Sequence, residues 1–106
     1  MLSIFKNKAT EVVNVNDLEE LLGEINLIDI REPYEVEQGT LKGAKNIPMR
    51  ELLKNVEKYL EKDKDYYILC QSGMRSSRVC SGLSKSGYRV INVSGGMGSY
   101  VGSKIQ

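Results

Sequence analysis

The sequence contains no histidine and no tryptophan, one phenylalanine, two prolines and two cysteines in 106 residues. The missing histidine excludes Ser-His-Asp and Cys-His hydrolases, histidine-ligated metals and imidazole acid–base chemistry. The two cysteines, Cys70 and Cys80, are too few and too close together for a secreted disulfide framework. Neither sign of charge dominates. Fifteen basic side chains stand against 14 acidic ones, for a net charge of +1. That balance argues against a nucleic-acid or other polyanion-binding specialist. No apolar run approaches the roughly 20 residues that span a bilayer. The apolar patch Met1–Phe5 precedes Lys6 and Lys8, which puts the positive charge on the wrong side for a signal peptide. These absences predict a cytoplasmic chain without membrane or nucleic-acid partners. A reducing compartment also keeps a useful thiol free.

What is present suits one domain spanning residues 1–106. At 41% hydrophobic residues, the chain can build a core without disulfide support. Short β-like runs alternate with helical periodicity. Glu11–Val13 is a weak strand. Asn16 is expected to cap a helix, with Glu19 completing a capping box, Leu18, Leu21 and Leu22 on its apolar face and Gly23 ending it. Asn26–Ile30 and Tyr66–Leu69 are short, nearly continuous apolar runs, as buried parallel strands are. Ala44–Ile47 is a further short strand, stopped by Pro48, and the stretch from Arg31 to Lys42 is polar and irregular. Leu52, Leu53, Val56, Tyr59 and Leu60 form one apolar stripe of a helix that starts near Met49. A second helix turns Val79, Cys80 and Leu83 inward and stops at Gly87. Arg89–Val93 is the last strand, and Gly95-Gly96 turns into a short C-terminal helix. The alternation predicts an α/β fold: a central parallel sheet of about five short strands with helices on both faces.

In such sheets ligands gather beyond the carboxyl ends of the strands. There the sequence places Cys70-Gln71-Ser72-Gly73-Met74-Arg75-Ser76-Ser77, a cysteine at a strand end, a glycine-containing loop and a helix start. A thiol in that position meets the positive end of the helix dipole and a nest of loop N–H groups. These donors, with Arg75 nearby, lower a thiol pKa without any histidine base. Cys80 shares a helical face with Val79 and Leu83 and reads as a buried, inert thiol. Tyr34, Tyr66 and Tyr67 read as packing residues.

The segment Cys70–Ser76 resembles the Cys-x-x-Gly-x-Arg-Ser active-site loop of the rhodanese family of sulfurtransferases. Four further segments agree in order. Leu27–Glu35 resembles the family's Asp-x-Arg strand end followed by Glu. Gly39–Pro48 is similar to its Gly-His-Ile-x-Gly-Ala-x-Asn-Ile-Pro segment, with Thr40 at the histidine position. Gly87–Val90 and Gly95–Met97 resemble the strand and Gly-Gly turn that follow the active-site helix. The resemblance implies a rhodanese-like fold and a sulfurtransferase that needs no cofactor or metal. In that reading Cys70 accepts a sulfane sulfur from thiosulfate or a persulfide and passes it to a thiol or cyanide acceptor, a protein persulfide being a further candidate partner. Gln71, Ser72, Gly73, Met74, Arg75 and Ser76 would stabilise the persulfide, Arg75 also closing the loop and attracting an anionic donor. Asp29 and Arg31 are expected on the pocket rim or bracing the loop, a plain structural ion pair being the other reading. Thr40 is read as a local change.

Two other functions share these features. Cysteine phosphatases and arsenate reductases carry related loops, but theirs resemble Cys-x5-Arg and span seven residues. Cys70 to Arg75 spans six, a smaller ring of amides suited to one sulfur atom. A non-catalytic rhodanese-like binding module is the third reading, since a fold alone does not specify chemistry.

Overall fold

A computed structural model describes residues 11–106, so the reading of Met1–Phe5 lies outside the described residues. The chain runs β1 (Glu11–Asn14), a 3-10 helix (Val15–Leu21), β2 (Leu27–Asp29), α1 (Pro33–Val36), β3 (Ala44–Asn46), α2 (Met49–Lys54) and α3 (Val56–Tyr59). It continues through β4 (Asp65–Leu69), α4 (Met74–Lys85), β5 (Arg89–Ser94) and α5 (Gly96–Ser99). The five strands form one sheet in the order β1-β5-β4-β2-β3, and every pairing is parallel. The chain leaves β2 toward β3 on one side and β4 toward β5 on the other. The order therefore reverses between β2 and β4, the place where open α/β sheets keep their ligand crevice.

Alternation along the strands divides the core. Ile28, Tyr66, Ile68 and Val90 face α2, α3 and α4, where they pack with Leu52, Leu60, Val79, Cys80 and Leu83. Leu27, Leu69 and Val93 face the opposite way, against Val15, Leu18 and Leu22 of the N-terminal connection. A fully buried Leu or Ile stabilises the fold by roughly 1.5–3 kcal/mol, so both layers are needed to hold short strands in register.

Three local expectations are corrected. Asn14, not Asn16, caps the first helix, its side-chain oxygen accepting the Asn16 N–H at 2.9 Å. The turn is 3-10, with Val15 and Leu18 buried at the three-residue repeat and Leu21 left 41% exposed. Asn16 instead ties the chain's far end down, donating to the Ser99 carbonyl and accepting from the Val101 N–H. The expected helix from Met49 through Leu60 is broken at Asn55, which leaves helical geometry at φ −137°. Its side chain bonds Glu51, the kind of local competition that makes Asn a poor helix-interior residue. The stretch Arg31–Lys42 is not wholly irregular. Pro33 at the first helical position presets α1, and the Glu35 carboxylate accepts the Glu32 N–H at 3.0 Å.

Candidate functional site

Cys70 lies immediately after β4 and continues the face that carries Tyr66 and Ile68, which directs its thiol at α4. The loop then has three residues in which to turn into the helix. Gly73 makes this possible by adopting φ +96°, a left-handed conformation that costs a residue with a Cβ. The Cys70 Sγ accepts the N–H of Gly73 at 3.1 Å and that of Ser76 at 3.3 Å. The Ser76 Oγ stands 3.3 Å from the same sulfur. Burial works against charge on Cys70, but hydrogen bonds from Ser76, through hydroxyl and amide, and from the Gly73 and Ser72 amides outweigh it. The thiol is held below its ordinary value. Cys80 shows the contrast. Burial, reinforced by the neighbouring Cys70, pushes it up to about 12.

The loop is clamped from behind. The Met97 N–H donates to the Cys70 carbonyl at 3.0 Å and the Gly98 N–H to the Gln71 carbonyl at 2.9 Å. Gly96 permits that approach, since a Cβ there would fall on both carbonyl oxygens. Cys70 and Ser76 are wholly buried, while Gln71, Ser72 and Met74 form the outer surface of the loop.

Asp29 and Arg31 are buried rather than on a rim, at 0% and 3% exposure. Arg31 forks onto the Asp29 carboxylate and also donates to Gln71 Oε1 at 3.0 Å and the Gly39 carbonyl at 2.8 Å. The buried ion pair thus reaches the cysteine loop through Gln71. Thr40 joins it, its hydroxyl donating to Asp29 Oδ2 at 2.7 Å. Arg75 makes a two-pronged pair with Glu35 on α1, both contacts 2.9 Å. The Arg75 hydrogen bonds hold the Glu35 carboxyl at about 2, against the opposing effect of burial.

A family model described as "Rhodanese-like domain" matches residues 14–103. The chain belongs to the rhodanese-like domain family. It is 43% identical over 79 residues to a putative sulfurtransferase, YtwF, of Bacillus subtilis, covering 74% of this chain and 76% of that protein. It is 30% identical over 71 residues to the thiosulfate sulfurtransferase PspE of Escherichia coli, covering 66% and 68%. Among solved structures, SSP1007 of Staphylococcus saprophyticus superposes with a TM-score of 0.83 at 31% identity, covering 92% of this chain and 99% of that one.

Around the cysteine loop three residues make contacts that sequence reasoning missed. In the sequence Glu35 stands out only as part of a family segment, Thr40 only as a local change, and Asn92 not at all. Asn92 sits among Val90, Ile91 and Val93, is 6% exposed, and accepts the Ser76 hydroxyl through Oδ1. An amide inside an apolar strand was the available signal, because a buried polar group needs a partner. Tyr34 is also corrected: it is 69% exposed, whereas Tyr66 is buried and Tyr67 packs against the core.

Proposed function

We propose that this rhodanese-like domain is a sulfurtransferase in which Cys70 is the residue that carries sulfur. The Cys70 thiolate attacks the outer sulfur of thiosulfate, the sulfur–sulfur bond breaks, and sulfite leaves with the electron pair. Cyanide or a thiolate then attacks the outer sulfur of the Cys70 persulfide and regenerates the Cys70 thiolate. Covalent relay through an activated thiol splits one transfer into two steps and predicts ping-pong kinetics. The observation that carries the reading is the convergence of the Gly73 and Ser76 amides on the Cys70 sulfur. Amides held in that position stabilise a sulfur anion without having to reorganise. The kinship with a thiosulfate sulfurtransferase supports thiosulfate as a donor, and a persulfide donor uses the same step.

Arg75 has a different emphasis from a free anion receptor. Its charge is shared with Glu35, so its first effect is to lock the opening turn of α4 to α1, and its pull on an anionic donor is reduced. Gln71, Ser72 and Met74 are the residues a donor meets first, and the covered sulfur is reached as they move aside. The six-residue span from Cys70 to Arg75 gives a ring for one sulfur rather than a whole phosphate.

The test is thiosulfate:cyanide transfer by the wild type, Cys70→Ser and Cys80→Ser, with aryl-phosphate hydrolysis run alongside. Transfer should vanish in Cys70→Ser and largely survive in Cys80→Ser, and the wild type should show a mass increase of one sulfur atom on Cys70 after thiosulfate. Normal transfer by Cys70→Ser, or strong phosphatase turnover with no sulfur transfer from any donor, overturns the proposal.

A further inference from the structure

Behind the cysteine, away from the loop's outer surface, lies a buried chain of three polar side chains: Cys70, Ser76 and Asn92. Ser76 Oγ is 3.3 Å from the Cys70 Sγ and 2.5 Å from Asn92 Oδ1. All three side chains are nearly or wholly shielded from water, at 0%, 0% and 6% exposure. A serine hydroxyl has one proton to donate. Two acceptors, the sulfur and the Asn92 carbonyl oxygen, stand on either side of it.

Which acceptor receives the proton follows from the amide's orientation. Asn92 pairs in register with Ile68 of β4, and its Nδ2 points at the Gly73 carbonyl at 3.5 Å. Turning the amide over would set its oxygen against that carbonyl. Asn92 therefore presents Oδ1 to Ser76, and the Ser76 proton is committed to it. While Cys70 is a thiol the chain is satisfied throughout, with S–H donating to Ser76 Oγ and O–H donating to Asn92 Oδ1. Once Cys70 ionises, its sulfur has no proton to give, and the best donor left nearby is the hydroxyl that Asn92 holds.

We propose that Asn92 is a positioning residue that keeps the Ser76 hydroxyl proton from Cys70 in the thiol state and yields it to the sulfur in the thiolate state. This inference deepens the reading of Cys70 as the sulfur-carrying residue and rests on it for its purpose. Turning the hydroxyl to the sulfur adds a hydroxyl to the amide donors of the thiolate but leaves a buried amide oxygen unpaired, which is costly. Asn92 thus acts as a brake on ionisation. When sulfur uptake moves the negative charge to the outer sulfur atom, the inner one no longer needs the hydroxyl and it returns to Asn92. No bond to a heavy atom forms or breaks in this motion. The proton stays on Ser76 Oγ and only its direction changes.

The other ionisable groups around the sulfur are Arg75 and Cys80 on α4, Glu35 of α1 through its pair with Arg75, and the Asp29–Arg31 pair behind Gln71. None is altered by a change at Asn92 or Ser76, so a shift in Cys70 ionisation reports the hydroxyl.

The test is the pH dependence of iodoacetamide alkylation at Cys70, read on the Cys70 peptide by mass spectrometry, for the wild type, Asn92→Leu, Ser76→Ala and the double variant. Releasing the hydroxyl in Asn92→Leu should lower the inflection by on the order of one pH unit, whereas Ser76→Ala should raise it. The double variant should match Ser76→Ala alone, because the proposed effect of Asn92 on the sulfur runs through that hydroxyl. A merely structural Asn92 would move the inflection equally in both backgrounds, and that outcome overturns the proposal, as does an unchanged or raised inflection in Asn92→Leu. Asn92→Val, smaller and β-branched as strands favour, carries the same expectations if the leucine variant fails to fold. Alkylation requires no sulfur donor. Shifts as expected with no sulfur transfer by the wild type would leave the hydroxyl switch standing and refute the functional reading, and the converse pattern would do the reverse.

Discussion

Replacing Glu35 by Gln removes one charge from the pair that joins α1 to α4 and leaves its shape nearly unchanged. The pair has two contacts of 2.9 Å, and it holds the Glu35 carboxyl at about 2 instead of its ordinary 4.5. At about 1.36 kcal/mol per pH unit that depression corresponds to roughly 3 kcal/mol. The Arg75 side chain is 34% exposed and that of Glu35 20%, so screening by water reduces the contribution to about 1–2 kcal/mol. A domain of this size should then lose roughly 5–10 °C in Tm at pH 7. The pH dependence gives the sharper check. A carboxyl whose folded pKa is depressed contributes stability that is complete above the unfolded value of about 4.5 and is lost as pH falls through the folded value. The gap between wild type and Glu35→Gln, measured by urea unfolding at pH 7, 5, 4 and 3, should be constant down to pH 5. It should then shrink, with more than half gone near pH 3. A gap that stays constant across that range, or no gap at neutral pH, refutes the assignment of the stabilisation to the charged pair.

Gly96→Ala should loosen the clamp behind the loop, because its Cβ would collide with the Cys70 and Gln71 carbonyls at a residue with φ +62°. Thermal unfolding should show a loss of at least about 2 kcal/mol, and amide exchange should rise at Met97 and Gly98. A variant as stable as the wild type contradicts the close approach. Thr40→Val should cost about 1–3 kcal/mol by leaving Asp29 Oδ2 short of a buried donor, read by denaturant midpoint; an unchanged midpoint would show that the hydroxyl is dispensable to the brace. Cys70, fully covered yet with its thiol held below its ordinary value by the loop's hydrogen bonds, should react with iodoacetamide much faster than with a bulky aromatic disulfide reagent, relative to free cysteine. Cys80 should react with neither reagent until the protein unfolds. Equal discrimination by Cys70 and free cysteine would show that the loop does not restrict access.

Sequence by itself determined the layered α/β architecture and the position of the cysteine loop. The apolar runs around Ile28 and Ile68 are local signals whose period and length already specify buried parallel strands. Cys70, Gly73 and Ser76 are likewise close in the chain, so a glycine-containing loop leading from a strand-end cysteine into a helix was legible locally, while its role came from the resemblance to the rhodanese loop. The helix ends were less so: Asn14 and Asn16 are both good capping residues, and packing of Val15 and Leu18 decided between them. What only the tertiary structure decided is how charges and polar groups from separate segments meet. Arg75 looks like a free cation until α1 brings Glu35 to it, 40 residues away in sequence. Arg31 becomes a brace only because the order of the sheet sets the end of β2 beside the cysteine loop, within reach of Gln71. Asn92 meets the Ser76 hydroxyl only because of the register that sets β5 beside β4 at Ile68. Hydrophobic period is written into neighbouring residues, whereas a hydrogen bond between distant ones depends on angles and distances that exist only after the sheet has formed.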